Sequence, residues 1–181
     1  MTCSRLLDPE STPSSNDSRV RGAATPESVA PDILDDHNPL GGAEPSAASV
    51  PWPGSTFIIR SVSSGHIMTL RGGQIMLAQL GGRGRSSWEC VRSKGWFGFR
   101  DPGSGRFLGR DDKGRLCCSA AWHEDWERFQ FMATPEGGYE MLMTRGEELW
   151  PVGIMVEQGV EKLARVRDGI AAAILWEFFK V

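Results

Sequence analysis

Apolar and polar residues follow a strand-like pattern over most of residues 55–181. Over 97–131, short apolar runs at 97–100, 106–110, 115–119 and 126–131 are separated by the turns Asp-Pro-Gly-Ser-Gly and Asp-Asp-Lys-Gly. Large apolar side chains that alternate with polar ones are typical of strands buried on one face. Glycine, proline and aspartate clusters are typical of the turns between them. This stretch therefore predicts four strands.

The same pattern is written three times. A Trp-Glu pair occurs at 88, 126 and 176, each with an apolar residue two positions after the glutamate. A leucine that opens a short apolar run precedes each pair, at 77, 116 and 163. The three units open on aromatic residues, namely Phe57, Phe97 and Tyr139. These openings lie about 40 residues apart, which is the sign of an internal repeat.

Three units of four strands predict an all-β protein in which the repeats close into one barrel, a β-trefoil. Closure removes the free sheet edges that would otherwise pair between molecules. Residues 157–176, taken alone, have helical spacing, whereas the repeat requires strand, turn and strand there. We favour the repeat, with a short helical turn over 166–173. Trp88, Trp126 and Trp176 are expected in the core or at the barrel rim.

The first 54 residues have a different composition from the rest. They hold eight of the eleven prolines, with eight acidic and three basic residues, and show no periodic apolar pattern. Such a segment buries too little apolar surface to offset the chain entropy lost on folding. We predict a disordered acidic tail over 1–54 and a β-trefoil domain over 55–181.

Location is predicted from the start of the chain and its cysteines. No apolar stretch resembles a secretory signal or a membrane span, so we expect neither secretion nor a membrane partner. Of the four cysteines, Cys117 and Cys118 are adjacent, which does not indicate a disulfide framework. A cytoplasmic protein is predicted, with a nuclear one left open.

The sequence offers little catalytic chemistry. His123-Glu124-Asp125 is the one local cluster of possible metal ligands, and a solvated loop explains it more simply. The run Gly81-Gly82-Arg83-Gly84-Arg85-Ser86 could cradle a phosphate, but it lacks the P-loop pattern and is better explained as a hairpin loop. We therefore predict a binding module that is not an enzyme, with no cofactor, no metal and no catalytic residue.

Charge is unevenly distributed along the domain. Residues 60–115 hold eleven basic and four acidic side chains, while 116–181 hold six and eleven. In a three-fold barrel this gives a positive and a negative side. RNA binding would also need exposed aromatics, for which Trp96 and Trp122 are available. The predicted binding residues are Arg83, Arg85, Arg106, Arg110, Lys113, Arg115 and Trp122.

The second unit resembles the fascin-like, actin-crosslinking β-trefoils. The resemblance lies in Gly-Arg-Phe-Leu-Gly at 105–109, the turn glycine Gly114, and Trp-Glu-Arg-Phe at 126–129. It implies filament binding, so an acidic protein surface, with F-actin as the specific choice, is the predicted partner. Alternatives are a carbohydrate-binding trefoil, whose usual Gln-x-Trp signature is missing here, and an RNA-associated module. The ligand, the oligomeric state and the role of the tail stay open at this point.

Overall fold

The computed structural model describes residues 49–167 and 173–181, which contain twelve antiparallel strands and one turn of 3-10 helix over Asp125–Glu127. The first repeat comprises β1 to β4, the second β5 to β8 and the third β9 to β12. The bounds are β1 Thr56–Ser61, β2 Ile67–Arg71, β3 Gln74–Ala78, β4 Ser87–Ser93, β5 Trp96–Arg100, β6 Phe107–Arg110, β7 Leu116–Ala120, β8 Phe129–Ala133, β9 Tyr139–Arg145, β10 Glu148–Glu157, β11 Val160–Arg165 and β12 Leu175–Lys180.

The first and last strands of the three repeats form a closed barrel. Pairing runs from β1 to β4, β5, β8, β9, β12 and back to β1, so each of the six strands has two neighbours. The remaining strands form three hairpins, β2–β3, β6–β7 and β10–β11. Single pairings, Gln74 with Cys117 and Arg115 with Ala164, link these hairpins to one another.

A six-stranded barrel with three linked hairpins is a β-trefoil, which confirms the predicted fold class. Residues 160–165 form a strand, so the repeat and not the local helical spacing decided the third unit. A turn breaks the helical pattern just before β11. Its two residues, Gln158 and Gly159, both have positive φ, which a helix does not allow. Most of the helical turn expected over 166–173 lies outside the described residues.

The barrel interior is filled by large apolar side chains from all three repeats. Phe178 contacts the rings of Phe57, Phe99, Phe131 and Tyr139 at centroid distances of 5.0 to 6.4 Å. Such aromatic packing contributes stability beyond the area that it buries. The other fully buried members include Ile59, Trp88, Leu108, Phe129, Met141, Val152 and Trp176.

The strand registers show that the three tryptophans do not occupy equivalent positions. The openings Phe57 and Tyr139 pair with Trp88 and Trp176, whereas Phe97 pairs with Phe129. Trp88 and Trp176 are fully buried, as predicted, but Trp126 is 45% exposed and lies in the 3-10 turn. Trp126 is therefore not a core residue, because Phe129, three residues later, takes the core position of the second repeat.

Backbone contacts to the domain begin before the predicted start at residue 55. The Ser49 amide donates to the Phe178 carbonyl at 2.9 Å, and the Gly54 amide donates to the Cys90 carbonyl at 2.8 Å. The expected disorder of the tail concerns mainly residues 1–48, which lie outside the described residues. Among the residues that are described, no helix has the length and apolar character required for crossing a bilayer.

Candidate functional site

The connection between β7 and β8 presents two tryptophans on one surface. Trp122 is 75% exposed and Trp126 is 45% exposed, and both line an open depression of about 630 Å³. Glu124, Asp125 and Lys94 line the same depression. Large aromatic rings left in contact with water beside a few polar groups mark binding surfaces. We call this surface, lined by Lys94, Trp122, Glu124, Asp125 and Trp126, the tryptophan face.

His123 fixes the position of the loop that carries these tryptophans. Its ring stacks on Phe107 with centroids 5.6 Å apart, and its Nε2 lies 3.1 Å from the Phe97 carbonyl oxygen. The ring also fills the space beside Gly98, where an added Cβ would lie 2.8 Å from Nε2. Burial lowers the pKa of His123. The side chain is therefore an inward anchor.

Glu127 fixes the other end of the loop. Its side chain accepts a hydrogen bond from the Glu124 amide at 3.2 Å, as part of a capping box on the 3-10 turn. The carboxylate is buried against Gly109, where a Cβ would lie 2.7 Å from Oε1. Burial raises the pKa of Glu127. A glycine in β6 thus makes the room that this loop conformation requires.

Arginines pack against the aromatic rings around the tryptophan face. The Arg110 guanidinium lies 4.5 Å from the centre of the Trp126 ring, a cation–π arrangement. Arg128 pairs with Asp125 and lies 5.9 Å from the Trp96 ring. These contacts hold Trp126 and the 3-10 turn in place, so the face is formed before any ligand arrives.

The other residues predicted to bind are scattered over the first two repeats. Arg83, Arg106 and Lys113 are exposed. Arg85 pairs with the buried Asp101 at 2.8 Å, and Arg115 pairs with Asp111 and Glu157 at 2.7 and 3.1 Å. Two of the predicted arginines are therefore already ion-paired with carboxylates of the same domain. The binding role of the whole set stays a prediction.

The glycine-rich loop has a structural explanation. Arg85 exchanges backbone hydrogen bonds with Leu70 at 2.7 and 2.9 Å and sends its guanidinium to Asp101. Gly84 is at positive φ, and an added Cβ there would lie 2.5 Å from Thr69, so only glycine fits. The loop connects β3 to β4, which pair with other strands and not with each other, so the hairpin interpretation of this loop is wrong.

The described residues offer neither a metal-binding cluster nor an activated thiol. In the ranges 49–167 and 173–181, no three His, Cys, Asp or Glu side chains converge in a way that could hold a metal ion. The three described cysteines are free thiols, and burial raises the pKa of Cys90 to about 12. A thiol held protonated in this way is a weak nucleophile.

Sequence reasoning found Trp122 but missed Trp126, Glu124 and Asp125 as parts of one surface. A signal was present, because Phe129 follows Leu116 by the same thirteen positions that separate Leu163 from Trp176. That spacing identifies Phe129 as the core residue and leaves Trp126 free to lie at the surface.

Solved structures share this fold at low sequence identity. The BEL β-trefoil gives a TM-score of 0.59 at 12% identity over 74% of this chain and 97% of its own. A designed three-fold symmetric protein, ThreeFoil, gives 0.56 at 10% identity over 70% and 99%. The Macrolepiota procera ricin B-like lectin, solved in complex with lactose, gives 0.55 at 15% identity over 74% and 100%.

These similarities are to β-trefoil proteins and establish the architecture. No protein-family model and no curated protein matches the sequence.

Proposed function

We propose that this protein is a carbohydrate-binding β-trefoil whose sugar site is the tryptophan face. The observation that carries the proposal is the pair of exposed indoles, Trp122 and Trp126, on a loop fixed at both ends. The apolar faces of sugar rings stack on indoles, and carboxylates such as Glu124 accept hydrogen bonds from hydroxyl groups.

Two further observations support the proposal. The face is open and about 630 Å³ in volume, which suits a small saccharide. A protein of the same fold, the Macrolepiota procera lectin, was solved with lactose. The actin prediction depended on free positive charge in the first two repeats, yet Arg85 and Arg115 are paired internally.

The test is binding of the full chain to a glycan array, followed by titration of the strongest hits. Substituting either Trp122→Ala or Trp126→Ala should weaken binding by about tenfold or more, as expected for aromatic residues central to an interface. Trp52→Ala is the matched control, since Trp52 is also exposed, at 59%, but lies before β1.

Two outcomes would contradict the proposal. One is an array without hits, and the other is equal losses from Trp52→Ala and the two loop variants. Sedimentation of the full chain with F-actin, lost on raising the salt, would instead support the filament prediction, because screening weakens interactions between exposed charges.

A further inference from the structure

The internal symmetry makes it possible to compare equivalent positions in the three hairpins. Ile67, Phe107 and Pro151 are equivalent, because each pairs with the same position of the preceding strand. Three residues further on, the equivalent side chains are Leu70, Arg110 and Ile154. Leu70 is buried and Ile154 packs against the core. Arg110 therefore stands where the other repeats have an aliphatic side chain.

A second arginine, Arg165, also stands where the other repeats have an apolar side chain, on the second strand of the β10–β11 hairpin. Leu77 pairs with Met68, Cys118 pairs with Leu108, and Arg165 pairs with Val152. Leu77 and Cys118 are partly buried and pack against the core. Arg165 thus also replaces an apolar residue. Placing a charge at such a position costs free energy unless an interaction compensates it.

The two arginines are poorly compensated within the described part of the chain. The Nε atoms of Arg110 and Arg165 are buried and have no hydrogen-bond partner there. Arg165 Nη1 donates to the Thr144 carbonyl at 2.6 Å, and Arg110 Nη1 donates to the Asp111 carbonyl at 3.3 Å. Burial and the positive charges of Arg110 and Arg145 lower the pKa of Arg165 to about 10.

Nearby carboxylates offset this charge only in part. Asp125, Asp111 and Glu127 all attract Arg110. Asp125 is already paired with Arg128, and Asp111 with Arg115. Glu127 is the only one of the three without an ion pair in the described structure, and its single negative charge does not balance Arg110, Arg145 and Arg165. An excess of positive charge therefore stays at this place.

Two tryptophans hold the arginines in position. The Trp150 ring has the guanidinium of Arg145 at 4.1 Å and that of Arg165 at 5.6 Å. Arg110 lies on Trp126, which belongs to the tryptophan face. Arg145 is exposed, so the cluster reaches solvent. Guanidinium groups held on aromatic rings are well placed to bind oxyanions through paired N–H donors.

We propose that Arg110, Arg145 and Arg165, the arginine cluster, bind the sulfate or carboxylate group of an acidic sugar whose ring lies on the tryptophan face. This inference rests on the proposed function and narrows it to anionic glycans. Arg110 lies on Trp126, and Thr144 joins the same 3-10 turn to Arg165. The Thr144 hydroxyl donates to the Asp125 carbonyl at 2.8 Å, and the Thr144 carbonyl accepts from Arg165 Nη1 at 2.6 Å. A bound oxyanion would supply the negative charge that the cluster lacks.

The test compares lactose, 3′-sulfated lactose and 3′-sialyllactose by calorimetric titration of the full chain. We expect at least one charged sugar to bind about tenfold or more tightly than lactose, as charged hydrogen bonds would give. Arg165→Leu introduces the leucine that the first repeat has at the equivalent position, Leu77. This variant should bind the charged sugar only as tightly as lactose, and its affinity for lactose should be unchanged. Arg71→Leu, at an exposed position of β2 outside the predicted binding residues, is the control and should change neither affinity.

Arg145→Gln gives a second variant at an exposed position, where folding is not at risk, and it should cause the same loss. Preference for the sulfated sugar would assign a sulfate ester, and preference for the sialylated one a carboxylate. Equal affinity for all three sugars would overturn the arginine cluster while the proposed function stood. A rise in the protein's Tm with inorganic sulfate, without binding of any sugar, would show an anion site that does not recognise sugars. That result would overturn both the proposed function and this inference.

Discussion

Two buried carboxylates of the second repeat respond to their surroundings in opposite ways. Burial alone would raise the pKa of Asp101, but hydrogen bonds from Ser104 and Arg85 outweigh it and hold that pKa below its usual value. Glu127 is also buried, yet it has no ion pair in the described structure, so burial prevails and raises its pKa. The charge of Asp101 is compensated and stabilises a turn. The charge of Glu127 is not, so the contribution of Glu127 to stability depends on pH.

Glu127→Gln should therefore stabilise the protein at neutral pH and not in acid. A carboxyl with a raised folded pKa contributes stability that is complete below its ordinary pKa and declines as pH rises through the folded one. Glutamine cannot ionise, and it can still accept from the Glu124 amide. Measured by thermal unfolding, the gain in Tm should be near zero at pH 4 and positive at pH 7.

Glu147→Gln, at an exposed turn, serves as the control and should not change Tm with pH. A gain that is equal at both pH values would refute the role given to Glu127.

At the scale of elements, the β7–β8 connection depends on glycines in the strands beneath it. Gly98 in β5 leaves room for the His123 ring, and Gly109 in β6 leaves room for Glu127. Neither glycine has positive φ, so the reason for glycine is close approach and not backbone conformation. The strands are thus shaped by the loop that they carry.

Gly98→Ala should displace His123 and loosen the tryptophan face. The new Cβ would lie within 3.1 Å of three atoms of the ring, which is held by Phe107 and cannot simply rotate away. We expect a destabilisation of about 1–3 kcal/mol, typical of overpacking, and weaker sugar binding. Denaturant unfolding and titration with the best glycan would measure the two effects.

Gly105→Ala is a comparison at a site with open space but positive φ, so it should lower stability without affecting binding. Unchanged sugar affinity in Gly98→Ala would count against the anchoring role of His123.

The repeat could be predicted from the sequence because its spacing is a long-range pattern. Phe57, Phe97 and Tyr139 mark equivalent positions both in the sequence and in the pairing registers. The site could not be predicted in full, because the Trp-Glu motif has different roles in the repeats. It lies in the barrel strands of the first and third repeats, whereas in the second repeat it lies in the loop before β8. Glu89 and Glu177 pair with Arg100 and Arg60 at 2.7 and 2.6 Å, across the join between repeats.

In the second repeat those two positions hold Gln130 and Leu142, which pair through their backbones. The tryptophan and glutamate of that repeat were therefore available for the loop. A matching motif in the sequence concealed a difference in register that becomes evident only when the strands are paired.

At the scale of the whole molecule, the three repeats share one core and not three. Phe178 of the third repeat contacts Phe57 of the first, Phe99 and Phe131 of the second, and Tyr139 of its own. No repeat can bury its apolar face without the other two. Loss of one central side chain should therefore destabilise the whole barrel.

Phe178→Ala should cost about 3–5 kcal/mol, the range for removing a buried phenylalanine. Unfolding should stay a single transition, with tryptophan fluorescence and far-ultraviolet circular dichroism changing together. Leu80→Ala, at a 69% exposed position, should cost almost nothing. Separate transitions for the two signals would show that the repeats unfold independently.

The pairing of β12 with β1 also determines when the barrel can close. Arg60 and Glu177, which meet across this pairing, are 117 positions apart in the chain. Bringing such distant segments together costs entropy before any contact repays it, which slows folding. During synthesis, β1 has to wait for the last strand with one edge unpaired. The protection against edge-to-edge association that the closed barrel provides is thus absent while the chain is being made, and that interval is when this protein is most exposed to aggregation.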